Sequence, residues 1–594
     1  MREVKIEWPQ IKLTLKNSEL KMVEETTYLG ITFNSKLKWG PHIKQKITNA
    51  KKKLFKYKGS MKANWGPPQS SMRWLYTGVI RPGITYGSLI WGKTVMNQFQ
   101  NDLRRVQGLA LMLQGLFRKN TPRRSLEVLS GIEPLHLFIY NQMMKSGYRN
   151  LNHINSLIAQ SPNISELSTI KYITRELKKL NIPTSTDRLD REHKTRYHER
   201  NFELSEDTFN VKWPTIDKNS INVFTDGSML GGRCGFGVYI TEDGYDNEFS
   251  SPMPTYSTVF QCELYAVKTA AEMLSDLTEK SIHFYVDSQA ALQSLCSNEV
   301  NSKTVMSTIK ALEEVGTNNR VKLNWIKAHN GHAMNDIADK LARDGSASAG
   351  PQLTIPVPDA YIKDLIDKET LARWNSGWIH QEGHRQTKLF FPEIDTRKAL
   401  SLYKYTKSKY SQAIRWITGF NGLAYQNNKI NPWDFPNPNC QLCGQMIEET
   451  SSHLIAECPS LLWERMDAFK TFNDLESDDL RNIKIPQLMK FLGNNRVAVM
   501  ENISEYPLLF VEDYNNAHHD IYDIIANHET SFSSRDGDAD MHEASDTNPN
   551  QDALALDVGD RSTDTDTMAS PPPKRRDRRS SAERTGVRCR KGVG

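Results

Sequence analysis

The stretch Ile221–Ile240, INVFTDGSMLGGRCGFGVYI, holds two apolar runs broken at Gly231-Gly232, with one carboxylate, Asp226, where the first run ends. It reads as strand, turn and strand. Alone, an Asp before Gly-Ser is ordinary turn chemistry. The chain downstream of Ile240 alters that assignment, because short β-rich runs (SIHFYVDS, VKLNWIKAH) alternate with helical segments (STVFQCELYAVKTAAEMLSDL, KTVMSTIKALEEVG, AMNDIADKLARDG) up to about Ser348. This is an α/β pattern.

Three acids in that segment occupy unusual places. The helix expected from near Ser257 carries Phe260, Leu264, Val267, Ala271 and Leu274 on one stripe, and Glu263 lies beside that stripe. Asp287 repeats the arrangement of Asp226, since a buried-looking strand delivers Asp and Ser at its C-terminal end. Neighbouring strands would set Asp226 and Asp287 side by side, where ligands of open α/β sheets gather. Two such carboxylates repel unless a cation lies between them, and hard oxygen donors favour Mg²⁺ or Mn²⁺ over zinc.

The order TDGS, CELYA, VDSQAAL and HNGHAMNDIADKLA resembles type 1 ribonuclease H over roughly 130 residues. The resemblance implies an RNase H-like mixed five-stranded sheet with helices over 217–350, hydrolysing the RNA strand of RNA–DNA hybrids endonucleolytically. It implies Asp226, Glu263, Asp287 and Asp339 as ligands of two Mg²⁺ or Mn²⁺ ions, with His329 as a mobile histidine assisting product departure. Asp339 is preferred to Asp336 because it follows His329 by the family's interval. One departure is visible: CSNEVNSKT (Cys296–Thr304) runs directly into the next helix, where many members carry a basic protrusion. Grip on a hybrid is therefore expected from flanking regions. A resolvase- or integrase-like nuclease is a competing reading, and the His329 loop followed by the Asp339 helix speaks against it.

A second constellation lies at CQLCGQMIEETSSHLIAEC, where Cys440, Cys443, His453 and Cys458 have the spacing of a closed tetrahedral site for one structural Zn²⁺. Metal there is expected to fold the module at 436–460.

The flanks supply context. Basic residues crowd the first third, as in IKQKITNAKKKLFKYKG (Ile43–Gly59), which reads as a helix with one cationic face. YLGITFNSKLKWGPHI, LYTGVIRPGITYGSLIWG and RRVQGLALMLQGLFR resemble the region after the catalytic palm in reverse transcriptases of jockey-like non-LTR retrotransposons. IRWITGFNGLAYQNNKINPWDF resembles the approach to their Cys-Cys-His-Cys segment. The resemblance implies a mainly helical post-palm or thumb-like remnant at 1–155, a linker at 156–216, a helical region at 355–435 and a helical extension at 461–525. No Tyr/Phe-x-Asp-Asp motif occurs, so no polymerase activity is expected.

Across 594 residues, 76 Lys+Arg against 70 Asp+Glu leave a formal charge of +6, a balance that names no partner by itself. Seven cysteines without an apolar N-terminal segment argue against a secreted disulfide framework, and no apolar run is long enough for a membrane span. A nuclear or cytoplasmic protein is expected, with RNA or single-stranded nucleic acid as further partners of the basic first third and the zinc segment. Residues 526–594 read as a disordered tail, acidic and then basic at PPPKRRDRR (Pro571–Arg579), a nuclear-import signal or a charged tail. The alternative to an active enzyme is a catalytically inactive nucleic-acid-binding remnant.

Overall fold

The computed structural model describes residues 23–498, apart from 60–65, 116, 118–119, 161–167, 184–185, 206–215, 218, 329–330 and 351–352, together with the backbone of 14–15 and 18–19. The tail expected at 526–594, and the extension beyond 498, lie outside the described residues.

The central sheet has six strands: β1 (Phe202–Leu204), β2 (Ile221–Leu230), β3 (Arg233–Glu242), β4 (Tyr245–Met253), β5 (Ser281–Val286) and β6 (Arg320–Trp325). Their spatial order is β1-β6-β5-β2-β3-β4. The first four in that order run parallel to one another, and β2, β3 and β4 form an antiparallel meander. The expected five-stranded sheet is thus corrected to six. The extra strand comes from the stretch read as a linker, where Phe202 pairs with Val321 and is itself buried. Three residues among charged neighbours carry too short a pattern to reveal a strand whose partner lies far along the chain.

Helices α1 (Val259–Met273), α2 (Gln289–Leu295), α3 (Lys303–Asn318) and α4 (Ala333–Ala347) complete the domain. Alternation along β2 divides two cores. Ile221 and Val223 pack with Leu264, Val267 and Ala271 of α1, whereas Phe224 packs with Tyr239, Tyr285 and Leu341 of the α4 layer. The stripe expected on α1 is the buried one, and Thr258 and Gln261 close a capping box at its start. Each fully buried Leu or Val contributes roughly 1.5–3 kcal/mol. On the far face α4 approaches closely because β3 is glycine-rich: a Cβ on Gly237 would stand 2.4 Å from both Ala338 O and Ala342 N.

This α/β domain is flanked by helices that pack on one another across it in sequence. The long helix Asp359–Ile379 lies against Leu135–Arg149, where Tyr148 Oη donates to Asp359 at 2.6 Å and Asn141 Nδ2 to Asp367 at 2.7 Å. Helix Lys407–Thr418 meets Gln100–Gly115 through Tyr410 Oη and Gln114 Oε1 at 3.2 Å. Leu189 and Val357 form a parallel bridge between the two connections, with Asp190 N donating to Val357 O at 2.8 Å. The basic helix expected at 43–59 spans Gly40–Lys58 and buries Ile43, Ile47 and Leu54.

Beneath the N-terminal helices, Glu127 is buried and accepts from Gln107 Nε2 at 2.8 Å. Burial raises its pKa to about 7, opposed by the Gln107 bond and by Arg104 and Arg124. A raised folded-state value gives stability that is complete below the ordinary carboxylate range and lost as pH rises through about 7. Glu127→Gln is therefore expected to flatten the fall in Tm between roughly pH 5 and 8, read by thermal melts across that range. A slope equal to the parent's would show that Glu127 ionises normally.

Candidate active site and zinc module

The register of the parallel strands sets the acidic site. Val286 and Thr225 are the last parallel pair of β5 and β2, so the next residues, Asp287 just past β5 and Asp226 within β2, stand side by side, while β2 runs on to Leu230 against β3 instead of ending at Asp226. Adjacent strands lie about 4.8 Å apart. Asp287 is anchored by Trp325, whose indole N–H donates to Asp287 O at 2.8 Å, and Ser288 caps α2 by accepting from Ala291 N at 3.3 Å. Glu263 arrives from α1, which can come this close only because residue 227 has no side chain. A Cβ there would lie 2.6 Å from Glu263 N and 2.8 Å from Cys262 Cβ.

One carboxylate oxygen each from Asp226, Glu263 and Asp287 fall within 4.8 Å of one another, and Asp226 and Glu263 are buried. At an effective dielectric of about 20, each ionised pair at that spacing repels by roughly 3.5 kcal/mol. Burial first, then the charges of Asp287 and Asp226, push Glu263 well above the usual carboxylate range, while a hydrogen bond from the Gly227 backbone pulls the other way. Its Oε2 is buried without a hydrogen-bond partner among the described residues. A divalent cation answers each feature, and all-oxygen donors suit Mg²⁺ or Mn²⁺.

The other two expected residues stand differently. Asp339, on α4, does not join the cluster; its carboxylate pairs with Arg343 at 3.2 Å. His329 lies outside the described residues. Three supporting residues escaped the sequence reading: Gly227, which appeared as turn chemistry, Trp325, and His332, which stacks on Phe224 (centroids 5.3 Å, planes 28°) at the start of α4. Only the TDGS context of Gly227 hinted at a role.

Gly227→Ala is expected to push α1 off β2 and carry Glu263 away from Asp226. Overpacking of this kind costs typically 1–3 kcal/mol, so Tm should fall together with Mg²⁺-dependent activity. An unchanged Tm would mean that α1 does not need this close approach.

The second cluster is Cys440, Cys443, His453 and Cys458. Cys440 Sγ lies 4.0 Å from Cys458 Sγ, and Cys443 Sγ 3.5 Å from His453 Nε2. Metal–ligand distances of about 2.3 Å to sulfur and 2.0–2.1 Å to nitrogen give tetrahedral edges of about 3.8 and 3.5 Å, so the donor set fits zinc. Burial pushes the Cys458 thiol up to about 12 and raises Cys440. Thr450 caps the helix Ser451–Ala456 by accepting from His453 N at 3.1 Å, which orients the imidazole. Arg465, fully buried, donates to Cys458 O at 2.7 Å.

A mixed sheet of this order, with acids gathered where the parallel pairing of β5 and β2 stops, defines an RNase H-like α/β domain with a candidate metal-binding triad. The RNase H family profile matches residues 218–347. A ribonuclease H of Mesorhizobium japonicum is 29% identical over 165 residues, spanning 25% of this chain and 92% of that protein. Ribonuclease HI of Shewanella oneidensis is 32% identical over 146 residues, 22% of this chain and 89% of the relative. The crystal structure of RNase H1 from Halobacterium salinarum aligns with 21% of this chain and 96% of its own at 21% identity, with a TM-score of 0.19. The chain belongs to the ribonuclease H family, and it is an RNase H-type enzyme. Among the described residues, no helix is long and apolar enough to cross a membrane.

Proposed function

We propose that the chain cuts the RNA strand of RNA–DNA hybrids endonucleolytically at the site formed by Asp226, Glu263 and Asp287, with Asp339 and His329 completing it. The observation that carries this reading is the convergence of three carboxylates, two of them buried, from within β2 (Asp226), from just past the end of β5 (Asp287) and from α1 (Glu263). Two divalent cations bound there would activate a water and neutralise charge on the leaving 3′ oxygen. The protein's own part is to hold three acids in a repulsive arrangement that bound cations relieve. Asp339 would join once its carboxylate exchanges Arg343 for a cation, and His329 would handle the proton or the departing product. Selection for RNA would use 2′-hydroxyl contacts.

Zinc held by Cys440, Cys443, His453 and Cys458 would serve structure, because four protein donors leave no open position. The setting, by sequence resemblance, is the C-terminal part of a retrotransposon-derived protein, a context supported by the order of the helical first third, the RNase H domain and the Cys-Cys-His-Cys cluster.

The test is substrate discrimination in Mg²⁺ with hybrid, RNA duplex and DNA duplex of one sequence. Cleavage confined to the RNA of the hybrid, leaving 5′-phosphate and 3′-hydroxyl ends, is expected. Cleavage of the DNA duplex would instead favour a resolvase-like nuclease.

A further inference from the structure

Helices Gln100–Gly115 and Arg123–Ser130, outside the α/β domain, bring four arginines onto one surface. Arg123 lays its methylene stem across Gly108, where its Cδ is 2.4 Å from the position of a Cβ. Of Arg104, Arg105, Arg123 and Arg124, only Arg105 has an ion pair among the described residues, with the part-exposed Asp102 at 3.2 Å. Arg104 is bonded to the neutral Asn101 at 3.0 Å. Burial, then the charges of Arg105 and Arg104, hold Arg123 below its ordinary range, and burial followed by Arg104 does the same to Arg124, opposed only in part by the buried Glu127. Cations crowded in this way cost stability unless an anion shares the surface.

The surface leads into a cleft of about 750 Å³ where the N-terminal helices, the helical region and the zinc module meet. His384 joins the two, since its Nδ1 is 2.9 Å from Ser125 Oγ, and burial followed by Arg124 and Lys388 lowers its proton affinity. Arg385, Lys429 and the half-buried Phe420 and Tyr425 line the cleft. Its one acid, Glu449, is already engaged by backbone N–H groups, from Ala424 at 3.0 Å and Gln441 at 3.3 Å. Cationic and aromatic side chains therefore face the same concave space, together with the amides of Asn120 and Gln426.

We propose that the arginine surface and this cleft form a track for a single strand of nucleic acid, separate from the acidic triad. Arg123, Arg124, Arg385 and Lys429 meet phosphates, and Phe420 and Tyr425 stack on unpaired bases. A cationic groove interleaved with aromatic faces is what a single strand needs, because only unpaired bases offer their π faces. An acidic peptide would satisfy the arginines and leave the rings and amides unused. The track goes beyond hybrid cleavage and does not depend on it.

The test measures binding of the full chain to labelled single-stranded RNA, the same strand made abasic, and a blunt DNA duplex, across a salt series. Arg123→Glu with Arg124→Glu is expected to weaken single-strand binding at least tenfold (roughly) and to flatten the log–log salt slope by about 1.4, at about 0.7 per phosphate. Tyr425→Ala should cost about tenfold on the normal strand and little on the abasic one, in keeping with stacking energies. Lys363→Glu with Lys368→Glu carries the same charge change on the helix Asp359–Ile379 and should leave binding unchanged. Thermal melts and zinc content identify any variant that fails to fold, in which case Tyr425→Ala decides. Wild-type affinity in the arginine pair, equal loss in the control pair, equal binding of the abasic strand, or tighter binding of duplex would each overturn the proposal.

Discussion

Asp287→Asn is expected to lower hybrid cleavage in Mg²⁺ by about 10²–10³-fold, the scale seen when a preorganised electrostatic group is removed, and at the same time to raise the Tm of the metal-free protein. The two effects share one cause. Asn keeps the shape of the side chain and the backbone carbonyl that Trp325 binds at 2.8 Å. It removes one of the charges that repel Glu263, and with it a ligand for cations. Parent and variant should therefore differ in opposite senses with and without Mg²⁺, the parent gaining the larger Tm increment on adding metal. Cleavage within roughly tenfold of the parent would remove Asp287 from the site.

Cys458→Ser should have the largest effect on structure. Cys458 is fully buried, stands 4.0 Å from Cys440 Sγ, and has its backbone oxygen held by Arg465. Structural zinc contributes on the order of 10–16 kcal/mol of apparent binding energy in small modules, as much as a typical domain's whole stability. Zinc content is expected to fall from one ion per chain to almost none, with 436–498 becoming sensitive to protease. Because the module packs on the flanking helices through Glu449 and Asn421, cleavage of a short hybrid should survive. Full zinc content in the variant would exclude Cys458 as a ligand.

Patterns local in the chain could be read from sequence, and long-range ones could not. The apolar stripe on α1 and the runs that became β2, β3, β5 and β6 follow from periodicity, and the spacing of Cys440, Cys443, His453 and Cys458 already marks the candidate metal cluster into which they converge. β4 is different: Tyr245–Met253 is an edge strand exposed along most of its length, so it has no apolar alternation to betray it. β1 is three residues long and pairs with a strand more than a hundred positions later. The packing of Asp359–Ile379 on Leu135–Arg149 was equally hidden, since each helix shows only that one face is apolar and not which partner covers it. At the acidic site the residue types and order gave Asp226, Glu263 and Asp287. They could not give Gly227 as the reason α1 comes close enough, nor the pairing of Asp339 with Arg343, because both depend on how helices seat against the sheet.

The most direct measurement is cleavage of a hybrid labelled in its RNA strand by the purified full chain, with Mg²⁺ and with excess EDTA. Fragmentation of the RNA in Mg²⁺, none in EDTA, and none with Asp226→Asn is the result expected if the three converging carboxylates form a cation-dependent active site. Intact RNA in Mg²⁺, or cleavage that persists in EDTA or in the Asp226 variant, would contradict it.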